Sequence, residues 1–486
     1  MRLYSFLLSF LLIVSGLPSQ AQRVMYSDYN PFDLRNGSVA VIGKINGSLF
    51  TFRSSGKEYF LDTYNDSMDH IATIVLDFFP DKTSNIRFIS YTDRMLVLYQ
   101  QQSGTRITQY AAMLDSRGIL IKNPLKVDEK RSGFFGSSDN EFFSSAVSED
   151  KRNLVIYRAD TKGKSLNFDG YWLDVDKMKI IKRAKLKYKA GNTLDCGQAL
   201  LNNNGDFFLP AYTIIGSRSY TDEYAMLTIK HDESVFRVTE LAFEDHYMEY
   251  PFQKINNQNG NIYVASFYST EKNGNNEGVA AATFNMNTLT FDDKAAIPFE
   301  DEMRGDTKGK RRERAFNLFR INQLIIKNDG GFLVAAEEYY MTTQSAYMPG
   351  VGFYSYYFSP VMAQTVREYH YNDILVLSYN AAKKEEWHTF VRKEQYSQED
   401  GGMFSSYTLL NTGGALGFLF NDFNSRRSRI ELSSVAADGS VNTGFMDSGS
   451  DTDPDWVPRE GKQVDSREIV IPCLRKKQIC FAKIVL

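Results

Sequence analysis

Apolar and polar positions along this chain follow a recurring order: a short apolar stretch, a tight polar turn, then a second apolar stretch. "IRFISYTDRMLVLYQ" shows it first, with the second stretch at Leu96. "FFSSAVSEDKRNLVIYRA" repeats it at Leu154, "CGQALLNNNGDFFLPAY" at Phe207 and "FQKINNQNGNIYVASFY" at Ile262. "FRINQLIIKNDGGFLVAAE" follows at Phe332, "SSYTLLNTGGALGFLFND" at Leu416 and "REIVIPCLRKKQICFAKIVL" at Ile479. Short apolar runs bounded by Asn, Asp and Gly predict strands joined by hairpins, because those turn residues tolerate positive φ. The units recur at intervals of 53 to 84 residues. After each second stretch comes a further strand pair, as in "DGYWLDVDKMKIIKRAKL".

Four antiparallel strands per unit, repeated in series, is the pattern of an all-β β-propeller. The recurrences predict seven four-stranded blades. The last unit has only two strands when the chain stops at Leu486, and "SVAVIGKINGSLFTFRS" near the N-terminus reads as the missing pair. Pairing of N- and C-terminal strands would close the ring and remove its open edges. Residues 58–80 fit this scheme poorly, which keeps six and eight blades open. The expected domain is a single propeller over 22–486.

Strand alternation puts the turns joining strands 1–2 and 3–4 of each blade on one face. The 2–3 loops and the links between blades fall on the other. The long segments gather on that second face: 128–140, 299–314, 442–462 and, longest, the 2–3 loop 339–372. Insertions gathered on one face of a repeat protein mark the expected binding face. The longest loop holds "GVGFYSYYFSP" and eight Tyr. Tyr347, Phe353, Tyr354, Tyr356, Tyr357, Tyr369 and His370 offer flat apolar area with polar edges, suited to a sugar ring or a protein partner. The alternative is that these rings pack on one another and on the disc. Asp373, Asn421 and Asp422 close strands beside this loop. They read either as a polar floor for a ligand or as acceptors for backbone groups at strand ends.

Composition adds boundaries. The 486 residues are 43% apolar and 24% charged, with 35 Phe and 29 Tyr, so a large core is available and strands are favoured. Net charge is −3, which argues against nucleic-acid binding through a global basic field. Arg2, the apolar "LYSFLLSFLLIVSG" and "SQA" ending at Ala21 predict an export signal over 1–21 and a periplasmic, cell-surface or secreted protein. No later apolar run is long enough to span a membrane. The three cysteines are too few to build the fold. Cys473 and Cys480 face each other across the expected Lys476–Lys477 turn, where either a disulfide or two small core side chains fit.

Specific chemistry is sparse. Asp451, Asp453 and Asp455 alternate as in the first half of a calcium loop, but Trp456 stands where that loop needs Gly and Lys462 where it needs Glu. No other cofactor is suggested. The five histidines show no HExxH spacing, and there is no GxSxG elbow or phosphate-cradling loop. Glu337 and Glu338, adjacent on a strand, would point to opposite faces.

Residues 371–422 resemble a group of uncharacterised secreted proteins from Bacteroidota. The matching positions are Tyr371, Asn372, Asp373, Trp387, Lys393, Gln395, Ser405, Ser406, Tyr407, Asn421 and Asp422. The resemblance implies export from a two-membrane cell and a propeller-like fold, and no activity. The leading expectation is a non-enzymatic binding protein for a glycan or a cell-envelope protein. The alternatives are a glycan hydrolase using two loop-face carboxylates and a structural subunit of an envelope or secretion assembly.

Overall fold

The computed structural model describes residues 23–131, 142–216, 220–243, 245–305, 314–345, 365–423, 429–446 and 454–486. Among them eight sheets are formed. Blade 1 takes Val39–Ile45, Ser48–Ser55, Glu58–Tyr64 and His70–Val75. Blades 2 to 7 follow in chain order over 83–131, 144–189, 194–241, 247–298, 319–391 and 408–446. Blade 8 pairs Asp455–Trp456 and Lys462–Asp465 with Glu468–Arg475, then Gln478–Val485, then the N-terminal strand Arg23–Tyr26.

The protein is thus an all-β propeller of four-stranded blades, with eight blades where the recurrences suggested seven. The missed unit is blade 1. "SVAVIGKINGSLFTFRS" does not complete the last blade; it forms the first two strands of its own, and residues 58–75 supply the other two. Closure is made by Arg23–Tyr26, paired from Arg23↔Val485 to Tyr26↔Ala482, and by Asn30–Pro31, paired with Ile479 and Gln478.

Local chemistry explains the strands. In blade 1 the first hairpin turns at Asn46 (φ 49°) and Gly47 (φ 80°), a left-handed pair that suits the twist of the flanking strands. Second strands are covered on both faces and read as continuous apolar runs; Leu96, Val97 and Leu98 are all buried. Outermost strands alternate instead, as Lys179–Lys189 does residue by residue.

The core lies between blades rather than at one centre. Eight buried apolar clusters occupy the eight gaps. Phe207, Leu209, Val155 and Trp172 join blades 3 and 4, and Leu96, Leu98, Ile156 and Leu173 join blades 2 and 3. Val41, Leu49, Val470 and Phe481 join blades 8 and 1. The other five gaps are filled in the same way. Each fully buried Leu or Phe contributes about 1.5–3 kcal/mol. A ring leaves no blade without two neighbours.

Cys473 and Cys480 sit opposite each other in blade 8, as their spacing suggested. Both are buried free thiols, so the disulfide reading is not met and the core reading is. Among the described residues no helix is long and apolar enough to cross a membrane. The expected export signal lies outside the described residues.

Candidate binding face

The longest 2–3 connection proves to be partly strand. Strands 2 and 3 of blade 6, Phe332–Ser345 and Thr365–Tyr379, keep pairing beyond the blade as far as Ser345↔Thr365. The innermost strand of blade 6 reaches only Glu338, and the outermost only Ile374. Residues past those points form a ribbon that projects from the loop face. Gln395–Gln398 adds a third strand to it, from Glu368↔Gln398 to Tyr371↔Gln395.

Alternation sorts the ribbon into two faces. One carries Tyr339, Tyr369 and Tyr371 towards the disc. Tyr369 and Tyr371 are buried, and Tyr339 lies 4.7 Å from Tyr371, ring to ring. The other carries Tyr340, His370 and Tyr396, which are direct cross-strand neighbours. Tyr340 stacks on His370 at 4.4 Å and 9°, and His370 lies 5.1 Å from Tyr396. Tyr396 is 40% exposed.

A polar row runs beside these rings. Glu368 accepts hydrogen bonds from Tyr396 Oη (2.7 Å), Thr342 Oγ1 (2.8 Å) and Gln398 Nε2 (3.2 Å). The Tyr396 bond does most to hold the Glu368 carboxyl below its ordinary range, so it is ionised at neutral pH. Burial, with Glu368 second, pushes the Tyr396 phenol up to about 12. Burial lowers the His370 imidazole below its ordinary value despite the nearby Glu368, and keeps it neutral. One carboxylate therefore orients an amide, a hydroxyl and a phenol along an aromatic row.

The ribbon is rooted in three blades. Lys393, from the link after blade 6, places Nζ 2.7 Å from Glu337 Oε1 and donates to the Tyr371 carbonyl (3.0 Å) and Gln395 Oε1 (2.9 Å). Ser406 Oγ donates to Glu337 Oε2 at 2.7 Å. Burial pulls the Lys393 ammonium below its ordinary value, while Glu337 opposes the shift. Arg459, beside blade 8, donates to Tyr371 Oη at 2.9 Å. The charges are satisfied in place, so the base of the ribbon is a fixed scaffold.

The sequence-predicted residues divide into three groups. Tyr369 and His370 lie on the ribbon, one on each face. Asp373 is tied to Arg392 Nη1 (2.6 Å) and the Lys393 amide (3.1 Å). Asn421 is fully buried and donates to the Phe404 and Trp456 carbonyls at 2.8 and 2.9 Å. It supports the floor from beneath and offers no surface to a ligand. Asp422 ends its strand opposite Arg429, near enough to Glu431 to raise that carboxyl after burial has done so. Tyr347, Phe353, Tyr354, Tyr356, Tyr357, Asp451 and Asp453 lie outside the described residues. Asp455 lies in the short innermost strand of blade 8. Among the described residues no cluster of three His, Cys, Asp or Glu side chains is placed to hold a metal.

Sequence reasoning did not single out Thr342, Glu368, Tyr396 and Gln398 as site residues. Their signal is the period of two in "YYMTTQ", "REYHYN" and "EQYSQ", which becomes legible once the three segments are known to pair. Glu337 and Glu338 do not form a carboxylate pair: both are buried, and Glu337 is bound to Lys393.

No family model matches the chain, and no curated protein matches it. Solved structures do. Prolyl oligopeptidase B from Galerina marginata is similar at 9% identity and a TM-score of 0.42, over 91% of this chain and 56% of that one. The chain thus spans about half the length of that enzyme. The dihydro-heme d1 dehydrogenase NirN is similar at 12% identity and 0.42, over 96% and 72% of the two chains. The polysaccharide lyase Uly1 is similar at 9% and 0.40, over 82% and 89%. Likeness at this level says nothing of this chain's activity.

Proposed function

We propose that this protein is an exported, non-enzymatic binding protein whose ribbon on blade 6 recognises a glycan. The observation that carries the reading is the row Tyr340–His370–Tyr396, with Tyr340 stacked on His370 at 4.4 Å and Tyr396 tilted against it at 5.1 Å, flanked by Glu368, Thr342 and Gln398. Sugar rings lie against aromatic faces, and their hydroxyls need directed donors and acceptors at the rim. Here those groups are oriented before any ligand arrives, which lowers the entropic cost of binding.

Three carboxylates near this face are each held by a cation, which counts against their acting as a glycosidase pair. Glu337 is held by Lys393 at 2.7 Å, Glu249 by Arg320 at 2.7 Å and Asp373 by Arg392 at 2.6 Å. A glycosidase pair needs one carboxyl that can donate a proton and a second facing it across the substrate. Electrophoresis through gels cast with different polysaccharides tests the reading. Retardation by at least one polysaccharide, lost in a Tyr340→Ala/Tyr396→Ala variant that stays folded by circular dichroism, is expected. Equal retardation of both proteins, or none by any glycan alongside capture of an envelope protein, overturns it.

A further inference from the structure

The innermost strands wall the central channel, and the cations they expose there come from three blades. Arg87 projects from Thr83–Ser90, Lys254 from Tyr247–Asn256 and Lys462 from Lys462–Asp465. Lys151, in the first turn of blade 3, joins them and donates from Nζ to the Ser90 carbonyl at 2.7 Å. Of the carboxylates on innermost strands, Glu249 is paired with Arg320 at 2.7 Å and Asp465 lies 3.9 Å from Lys44, while Asp195 and Asp455 stand on the innermost strands of blades 4 and 8. Arg87 forms no ion pair among the described residues. Burial lowers the Lys462 ammonium, and the charges of Lys151 and Arg87 lower it further, so these cations share one field. Arg87, Lys151 and Lys462 thus form a local cationic patch in a chain of net charge −3.

A cavity of about 460 Å³ lies among blades 2, 3 and 4. Asn85, Arg87, Phe142, Ser144, Asp160 and Gln198 are in its wall. Arg87 is anchored on one side only: Nη1 donates to Ser145 Oγ at 2.8 Å and to the Ser145 carbonyl at 3.2 Å. Asp160 is neutralised by Arg158, whose Nε donates to it at 2.7 Å. Arg158 also covers the Phe142 ring at 4.6 Å. The cavity therefore combines one positioned guanidinium with exposed amide and hydroxyl groups and an aromatic wall. Its volume lies within the range of small-ligand pockets, about 300–1,000 Å³.

We propose that this cavity binds a small acidic sugar, its carboxylate or phosphate held by Arg87. A guanidinium fork fits either anion. Gln198 and Ser144 are placed for the neutral hydroxyls. This site shares no residue with the ribbon, and it stands or falls independently of the glycan reading above.

Calorimetry with glucuronate, glucose 6-phosphate, glucose and inorganic phosphate tests it. Binding of at least one acidic sugar and not of glucose is expected, weakening as salt rises from about 50 to about 300 mM. Glucuronate alone would identify the carboxylate, and glucose 6-phosphate alone the phosphate. Arg87→Gln should weaken binding at least tenfold, and Gln198→Glu, an exposed change that sets a like charge in the wall, should do the same. Tyr396→Ala should leave it unchanged. Absence of binding by both acidic sugars overturns the proposal, as does undiminished binding in folded Arg87→Gln and Gln198→Glu. Inorganic phosphate binding as tightly as glucose 6-phosphate overturns its sugar component.

Discussion

Lys393 and Glu337 meet at 2.7 Å with both side chains withdrawn from solvent, at the point where the ribbon leaves its blade. Taking two charges out of water is costly, and the cost is offset here by further bonds to Tyr371, Gln395 and Ser406. Removing one partner leaves the other buried and unpaired. Lys393→Met is expected to destabilise the protein by about 3–5 kcal/mol in urea unfolding. Adding Glu337→Gln should recover part of that loss, because no bare charge then remains. A double variant no better than the single one would contradict the pairing.

His370 carries a prediction about pH. Burial holds its folded-state pKa below the unfolded value, so the unfolded chain binds more protons in the interval between them. The associated stability is present above the ordinary histidine pKa and is lost as pH falls through the folded value. An NMR titration should place the His370 ring below the ordinary histidine value of about 6.5. His370→Gln should flatten this contribution to stability between pH 7 and 5. A His370 value above the ordinary one would contradict the stacked, neutral ring.

Ring closure rests on a second set of charges. Lys483 of blade 8 contacts Asp66 and Glu468, each at 3.2 Å, and Lys44 of blade 1 contacts the same two at 3.1 and 2.8 Å. Burial works against the Lys44 charge, yet Glu468 and Asp66 hold its ammonium above the ordinary value. Lys483 is buried, whereas Asp66 is largely in water, so solvent screening limits the gain. Lys483→Met should cost about 1–2 kcal/mol and speed proteolysis near Arg23–Tyr26. An unchanged cleavage rate would separate this network from closure.

The thiols offer a direct check on blade 8. Cys473 and Cys480 are opposite, buried and unbonded, and burial raises the Cys473 thiol well above its ordinary range. Thiol reagent should leave both unmodified in the native protein. Three thiols should react after denaturation without reductant, since Cys196 is also free. One thiol under those conditions would mean that the pair is oxidised.

Fold class was legible in the sequence because hairpin turns such as Asn46–Gly47 carry their own geometry. Blade 1 was missed for a physical reason. Its outermost strand exposes Ile71 and Val75 at 56% and 59%, so apolar residues there do not mark the buried side. The site was legible as a place rather than as a set of roles. Tyr371, Lys393, Gln395, Ser406 and Asn421 root the ribbon. Their partners Glu337, Phe404, Trp456 and Arg459 are distant in sequence, and no local pattern announces such contacts. Glu368 gains its meaning only when Gln395–Gln398 pairs beside it, a register that tertiary structure decides.

The central claim is that the row Tyr340–His370–Tyr396 is a recognition surface. Calorimetry with an oligosaccharide from the most strongly retained polysaccharide tests it most directly, comparing the unmodified protein with Tyr340→Ala/Tyr396→Ala. The account predicts a loss of affinity of tenfold or more, about 1.4 kcal/mol, with unfolding midpoints little changed. Equal affinities in two folded proteins would contradict it and place recognition elsewhere on the disc.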